Sequence, residues 1–414
     1  MTVTEANLAA YRASCRRWLG DRLPRAEPER REWGVGSDDV SVFHDLSDEE
    51  ERRLLERAME WQREKFDAGY GAITWPERFG GTGLPAAYEH AFMEEEAAFA
   101  TPALHETFSV TVRLIAPTIR LHGDEGQRQR FIRRFLRTDE LCCQLFSEPD
   151  AGSDLAGLAT TAVRDGDEWV INGAKVWTSG ARFSAWGELI ARTDRDVPKH
   201  AGLTAFLVPL DTPGLEVRGI RQMSGGSCFN SVHFDDVRIP DDLRLGEVGA
   251  GWRIALTTLG LERTGTGARA IGGQWSQVLA LARWAGRTGD PVVRQRLAEL
   301  YIQSRVTELV RQRTSLLDAA GEAPGPTGSI VKLRWTRDLT ATSDVVAQLL
   351  GPRLAADTGE WGTYAWSAHV LGAPGYRIAG GSDEIQRNIV GERVLGLPAE
   401  PRVDRDRPWR EVPR

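Results

Sequence analysis

The chain has 414 residues, of which 41% are hydrophobic and 27% charged, with a formal net charge of −7. Those values suit a globular protein with room for two or three cores, and they give no general attraction for nucleic acid, because arginine alternates with Asp and Glu throughout. No stretch approaches the roughly 20 apolar residues that cross a bilayer, and Met1–Ala6 lacks a basic region followed by an apolar core, so a cytoplasmic chain without membrane or nucleic-acid partners is expected. Four cysteines (Cys15, Cys142, Cys143, Cys228) show no C-x-x-C spacing and His is scarce, so neither a metal site nor a disulfide framework is expected. Only Lys65, Lys175, Lys199 and Lys332 are lysines.

The first helix is expected over Glu5–Leu19, followed by an irregular charged segment, Arg22–Asp39. A second helix starts at Ser47, with Glu50 completing a capping box, and carries the stripe Leu54, Leu55, Ala58, Trp61. The glycine-rich run Trp75–Gly83 lacks the lysine and spacing of a phosphate loop and reads as a turn between helices. Helices over Leu84–Ala98, Ala103–His122 and Gly126–Arg137 follow.

From Leu141 short β-type runs take over: Leu141–Ser147, Trp169–Asn172, Glu188–Arg192, Leu203–Val208, Leu215–Arg218 and Val232–Phe234. They are divided by turn signals such as Asn172-Gly173 and Pro213-Gly214. This spacing predicts an antiparallel barrel or sandwich of about 100 residues. Helical texture returns after Gly251, with one helix over Trp252–Trp284. A long one follows, capped by Asp290-Pro291 and reaching Ala320. Another carries the stripe Trp335, Leu339, Thr342, Val346, Leu349. The fold class is therefore mainly α with a central β-domain: helices over 1–140, the β-domain over 141–250, and a four-helix bundle with a tail over 251–414.

Four stretches carry chemistry. Gln144–Asp154 ends a strand at Pro149 and turns through Ala, Gly, Ser and Asp, which suits an ordinary strand exit or the floor of a ligand site. Lys175–Gly180 offers Trp177 for stacking, with Thr178 and Ser179 for hydrogen bonds; core packing is the alternative. Glu262 lies on a Leu-, Ala- and Gly-rich helix next to Arg263, either as a surface pair or as a used carboxylate. Gly380-Gly381-Ser382-Asp383 opens a helix whose free N–H groups suit an anionic group, or simply a capped terminus.

In combination and in this order, Trp75–Gly81, Phe146–Asp154, Trp177-Thr178-Ser179 and Asp383–Arg387 resemble the acyl-CoA dehydrogenase family over nearly the whole chain. The resemblance implies helical, β and four-helix-bundle domains, FAD as cofactor, and α,β-dehydrogenation of an acyl thioester on CoA or an acyl carrier protein. It places Gln144, Phe146, Ser147, Ser153, Trp177, Thr178, Ser179, Gln348, Gly351, Ser382 and Glu384 at the cofactor, with Ser153 and Arg263 toward substrate. The family's more frequent base position falls on Gly380, which has no carboxylate. Glu262 matches a branch with the base on the first bundle helix, and the Gly380 N–H would then hold the thioester oxygen.

Arg287-Thr288-Gly289 and Gly351-Pro352 depart from the family's inter-subunit FAD contacts, and Gly260 replaces an Asp near the thioester chain. The resemblance further implies a homo-oligomer (dimer or tetramer) or an α2β2 pair, with an electron-transfer flavoprotein or a similar acceptor. A flavin oxidase or monooxygenase on the same fold, or a partner subunit completing another chain's site, are the alternatives.

Overall fold

The computed structural model describes residues 3–27, 39–265, 273–319, 326–356, 363–402 and 404–412, with the side chains of 263–265, 315–319 and 363–364 excepted. Most of the expected irregular segment Arg22–Asp39 therefore lies outside the described residues.

Helix α1 (Glu5–Gly20) and helix α2 (Asp48–Asp67) pack with α3 (Ala86–Glu96) around Cys15, Leu19, Trp61, Tyr88 and Phe92. Helix α2 starts where the Ser47/Glu50 pattern places it, each residue's side chain accepting the other's backbone N–H. The helix expected over Ala103–His122 is divided. Helix α4 (Glu106–Ser109) runs into a π-helical turn at Val110–Ile115 and then α5 (Ala116–His122). In that turn Thr111 Oγ1 accepts from Cys142 N–H at 2.9 Å, which anchors the first strand to the helix. Helix α6 (Glu125–Arg137) has its own capping box between Asp124 and Gln127.

The β-region forms an eight-stranded sheet: β1 (Cys142–Leu145), β2 (Thr161–Asp165), β3 (Glu168–Ser179), β4 (Trp186–Arg192), β5 (Leu203–Pro209), β6 (Leu215–Ile220), β7 (Phe229–Pro240) and β8 (Arg244–Leu245). The order is β6-β7-β3-β2-β4-β5-β8, with β1 beside β4. The expected antiparallel pattern holds for most pairs, but β1 and the start of β2 run parallel to β4. A long connection separates β1 from β4, and only such a connection permits a parallel pair. Strand β4 is buried along its whole length because helices cover it.

Helix α7 (Gly251–Gly265) inserts Ile254 and Ala255 into the sheet's core. Helices α8 (Trp275–Trp284), α9 (Pro291–Ala319), α10 (Thr327–Leu350) and α11 (Thr363–Tyr376) surround Val278, Leu281, Leu297, Val346 and Trp366. The single helix expected over Trp252–Trp284 is thus two. Gly273 takes φ +81° and Gln274 is extended, so α8 restarts behind a new cap. Packing selects the break: a Cβ on Gly273 would stand 3.0 Å from the Trp366 ring. Asp290 caps α9 as expected, its Oδ1 accepting from Val292 N–H at 2.9 Å. Helix α12 (Asp383–Ile389) begins behind Ser382, whose Oγ accepts from Ile385 N–H at 3.3 Å.

The C-terminal tail returns to the sheet. Trp409 is buried, its Nε1 donates to Gly157 O at 3.1 Å, and the Arg192 guanidinium lies 4.4 Å from its ring. Arg192 also donates to Ala156 O and Leu158 O, so tail and cation together fix the loop after β1. Trp409→Ala is expected to lower unfolding stability by about 3 kcal/mol, measured by urea denaturation; a change below about 1 kcal/mol would show that the tail does not brace this loop.

Candidate functional site

The loop after β1 is held by a buried ion pair. Lys175, fully buried on β3, donates to Phe146 O at 2.9 Å and to Glu148 Oε1 at 2.8 Å. Glu148 also accepts from Ala159 N–H at 2.6 Å and Thr160 N–H at 3.0 Å. Burial pulls the Lys175 pKa down to about 8 against the attraction of Glu148. Burial acts to raise the Glu148 pKa, but Lys175 outweighs it and the carboxyl stays below its ordinary range. Val176 N–H donates to Ser147 O at 2.9 Å, so Phe146 and Ser147 are fastened along β3. Further along, Ser153 is exposed, and Asp154 binds Lys199 Nζ, which also binds Asp404 of the tail.

Opposite this loop, β3 is irregular. Its register with β7 shifts between Lys175 and Thr178, and Trp177 at the shift has φ +61°. A bulky residue in the left-handed region is strained, and a bulge re-aims its side chain. Trp177 is accordingly 59% exposed, edge-on to Phe229 at 6.2 Å. Thr178 faces Asn230 across β3–β7, and Ser179 faces Phe229. Thr178 Oγ1, Asn230 Nδ2 and Gln144 Nε2 are buried atoms without a hydrogen-bond partner among the described residues. Orphaned buried polar atoms are rare in proteins; here two face each other across β3–β7, and the third is on β1, whose following loop bonds to β3.

The other part of the site is formed by α7 and the turn before α12. Gly380 has φ +64°, and a Cβ on it would lie 3.2 Å from Glu262 Oε1. Gln386 Nε2 donates to Gly380 O at 2.9 Å, and the Lys332 ammonium donates to Gly381 O. The structure therefore brings Glu262 against Gly380. The side chain of Arg263 lies outside the described residues.

Gln348 and Gly351 are elsewhere. Gln348 is exposed near the end of α10, roughly 24 Å along the helix from Lys332 at 1.5 Å per residue. It lines a cavity of about 220 Å³ between α9 and α10 with Arg296, Gln303 and Asp344. Gly351 caps the same helix end. Ser382 spends its oxygen on the α12 cap, and exposed Glu384 pairs with Arg387 at 3.1 Å.

Two buried acids escape the sequence reading. Glu51 on α2 binds His105 Nε2 at 2.7 Å, His44 Nε2 at 3.3 Å and the Arg182 guanidinium. Thr107 N–H donates to His105 Nδ1, so the His105 proton sits on Nε2 and faces Glu51. Burial acts to raise the Glu51 pKa, but the His105 and His44 hydrogen bonds hold it at about 2. Glu188 on β4, beside Gln144 on β1, is fully buried; Thr258 Oγ1, one helical turn before Glu262, lies 2.9 Å from it. Burial pushes its pKa up to about 8. Glu51 and Glu188 sit in helix and strand patterns that assign charges to solvent, so nothing local marks them. Lys175 and Lys332 do leave a signal, because lysine is scarce in a chain whose other cations are arginines.

Comparison with known proteins matches three family models in chain order: acyl-CoA dehydrogenase N-terminal domain over residues 42–139, middle domain over 143–237 and C-terminal domain over 249–395. Acyl-CoA dehydrogenase IpdE1 of Mycobacterium tuberculosis is 39% identical over 397 residues, covering 94% of this chain and 98% of that one. Human mitochondrial short-chain specific acyl-CoA dehydrogenase is 30% identical, covering 79% of this chain and 80% of its own. Among solved structures, one described as the Tcur3481-Tcur3483 steroid ACAD has a TM-score of 0.72 at 27% identity, covering 97% of this chain and all of that one. The ChsE4-ChsE5 complex from Mycobacterium tuberculosis has a TM-score of 0.69 at 25% identity, covering 97% and 100%.

Two outcomes follow from the buried charges. Lys175→Met leaves Glu148 without its cation and is expected to cost about 3–5 kcal/mol in urea denaturation; a loss under about 1 kcal/mol would mean the pair does not hold the loop. Glu188 has a folded-state pKa raised from 4.5 to about 8. Its stabilising contribution is full below pH 4.5 and is lost as pH rises through 8. Glu188→Gln should flatten that decline, read as unfolding stability at several pH values across the window, and an unchanged slope would contradict the assignment.

Proposed function

The chain belongs to the acyl-CoA dehydrogenase family, whose members are oxidoreductases acting on CH–CH bonds, and on that premise we propose that it desaturates an acyl thioester between Cα and Cβ with Glu262 as the base. The observation that carries this reading is the contact of Glu262 with Gly380. A carboxylate is needed within reach of the α-proton, and the neighbouring backbone position has no side chain to compete for the space. Glu262 takes the α-proton onto a carboxylate oxygen. The Gly380 N–H stabilises the thioester oxygen as negative charge develops there. Exposed Ser153 would serve the thioester arm, carried by CoA or by an acyl carrier protein, and the family resemblance assigns Arg263 to the same task.

FAD fits the residues present. Gln144 Nε2 and Thr178 Oγ1 are buried polar atoms whose partners would be heteroatoms of the flavin edge. Trp177 offers an exposed aromatic face, and the fastened Phe146–Ser147 backbone gives a fixed floor. Ser179, Ser382 and Glu384 would hold the rest of the cofactor. Bound FAD would supply the acceptor for the β-hydrogen, transferred as hydride. We keep the division into residues 1–140, 141–250 and 251–414 as the functional one, with the flavin-facing loops in the second part and the base in the third.

The likeness to a structure described as a steroid ACAD supports a bulky polycyclic acyl-CoA as the first substrate class to test. A second reading concerns assembly. Gln348 and Gly351 are remote from the rest of the site, which supports their use toward the FAD of a neighbouring subunit. The two-component descriptions of both solved structures support an unlike partner in that place, forming an α2β2 pair; a like copy would give a homodimer or homotetramer. Electrons would then leave through an electron-transfer flavoprotein or a similar acceptor.

Glu262→Gln should retain bound FAD, seen in its visible absorbance, while bleaching of the flavin by a steroid acyl-CoA slows by about 100-fold to 10,000-fold. Turnover within about tenfold of wild type would exclude Glu262 as base.

A further inference from the structure

Lys332 is one of three buried lysines and has no part in the family resemblance stated above. It lies in the second turn of α10, 5% exposed, and its ammonium donates to Gly381 O. Gly381 directly follows Gly380, whose Cβ position lies 3.2 Å from Glu262 Oε1. The same carbonyl pair is held from the other side by Gln386 Nε2, at 2.9 Å from Gly380 O and 3.2 Å from Gly381 O. The charged groups that act on Lys332 are Asp383 and Glu384 of α12 and Glu262 of α7. Asp383 is engaged by Thr336 Oγ1 at 2.9 Å and Arg377 at 3.0 Å, and Glu384 by Arg387 at 3.1 Å. Burial lowers the Lys332 pKa, and the three carboxylates oppose that shift, Glu262 among them.

We propose that Lys332 is a positioning residue for proton abstraction, holding the Gly380–Gly381 turn against Glu262 and favouring the ionised form of the Glu262 carboxyl. The inference rests on the reading of Glu262 as base for its meaning, though not for its measurement. Two functions meet in one ammonium. Its hydrogen bond fixes the turn whose N–H faces the thioester oxygen. Its charge attracts the Glu262 carboxylate, which favours the ionised form. A base must be ionised before it can accept the α-proton, so without the cation a larger share of the enzyme would be inactive at a given pH.

The test is a direct titration. Holoenzyme carrying glutamate labelled with 13C at the side-chain carboxyl is followed by NMR, with the Glu262 signal assigned by its loss in Glu262→Gln. Lys332→Gln keeps a donor for Gly381 O without charge, Lys332→Met removes both, and Lys332→Arg keeps the charge. The Glu262 midpoint is expected to rise by about one pH unit in the Gln and Met variants, and to return at least halfway in the Arg variant. FAD absorbance and far-UV circular dichroism report folding; should Met fail to fold, the Gln variant carries the comparison. A midpoint that stays within about 0.3 unit in both neutral variants, or that moves equally in all three, overturns the proposal. If Glu262→Gln retains turnover while the midpoint moves, the assignment of the base is wrong and the coupling stands. If Glu262→Gln is inactive and the midpoint does not move, the coupling alone is wrong.

Discussion

The site depends on an ion pair that has been taken almost wholly out of water. Moving a carboxylate and an ammonium into the interior costs several kcal/mol each, and their attraction offsets that cost only when the remaining hydrogen-bonding positions are filled. Lys175 and Glu148 meet that condition: two backbone amides complete the carboxylate and one backbone carbonyl supports the ammonium. Through these bonds the end of β1, the start of β2 and the middle of β3 become a single rigid unit. The strained Trp177 lies two residues beyond Lys175. Such strain persists only where the surroundings over-determine it, and the fastened strand provides that.

A pattern extends from this pair. The chain uses arginine for nearly all of its positive charge, and its arginines mostly bind carboxylates at the surface or cover aromatic rings. The three buried lysines do something different. Lys175 binds the Phe146–Glu148 turn, Lys199 joins Asp154 to Asp404, and Lys332 binds Gly381. Each fastens one loop of the candidate site. A compact ammonium with three donors can serve a carbonyl and a carboxylate in a narrow space, which the wider guanidinium fork cannot.

How much was legible in the sequence follows from how local each determinant is. The starts of α2, α9 and α12 were readable because Ser47, Asp290 and Ser382 act on amides two or three residues away. The division of Trp252–Trp284 has a local trace in the pair Gly272-Gly273, a turn signal that the surrounding helical texture outweighs; the close approach of the Trp366 ring to Gly273 comes from far away in the chain. The parallel register of β1 beside β4 has no local signature. For the site, Gln144, Phe146, Ser147, Trp177 and Thr178 stand out together as motifs, and the structure places them on β1, on the loop that follows it and on the strand β3 to which that loop bonds. The left-handed φ of Trp177 and the buried acids Glu51 and Glu188 remained hidden, since each depends on what packs against it.

The contact between Gly380 and Glu262 also constrains substitution. A side chain at 380 would need a left-handed backbone, and its Cβ would approach Glu262 Oε1 within 3.2 Å. A second carboxylate placed there would share one small space with Glu262, and the repulsion would drive one of the two toward its neutral form. On the reading of Glu262 as base, the missing side chain at 380 is therefore part of the site as much as the carboxylate at 262, because no second acid at that position competes with it for a proton.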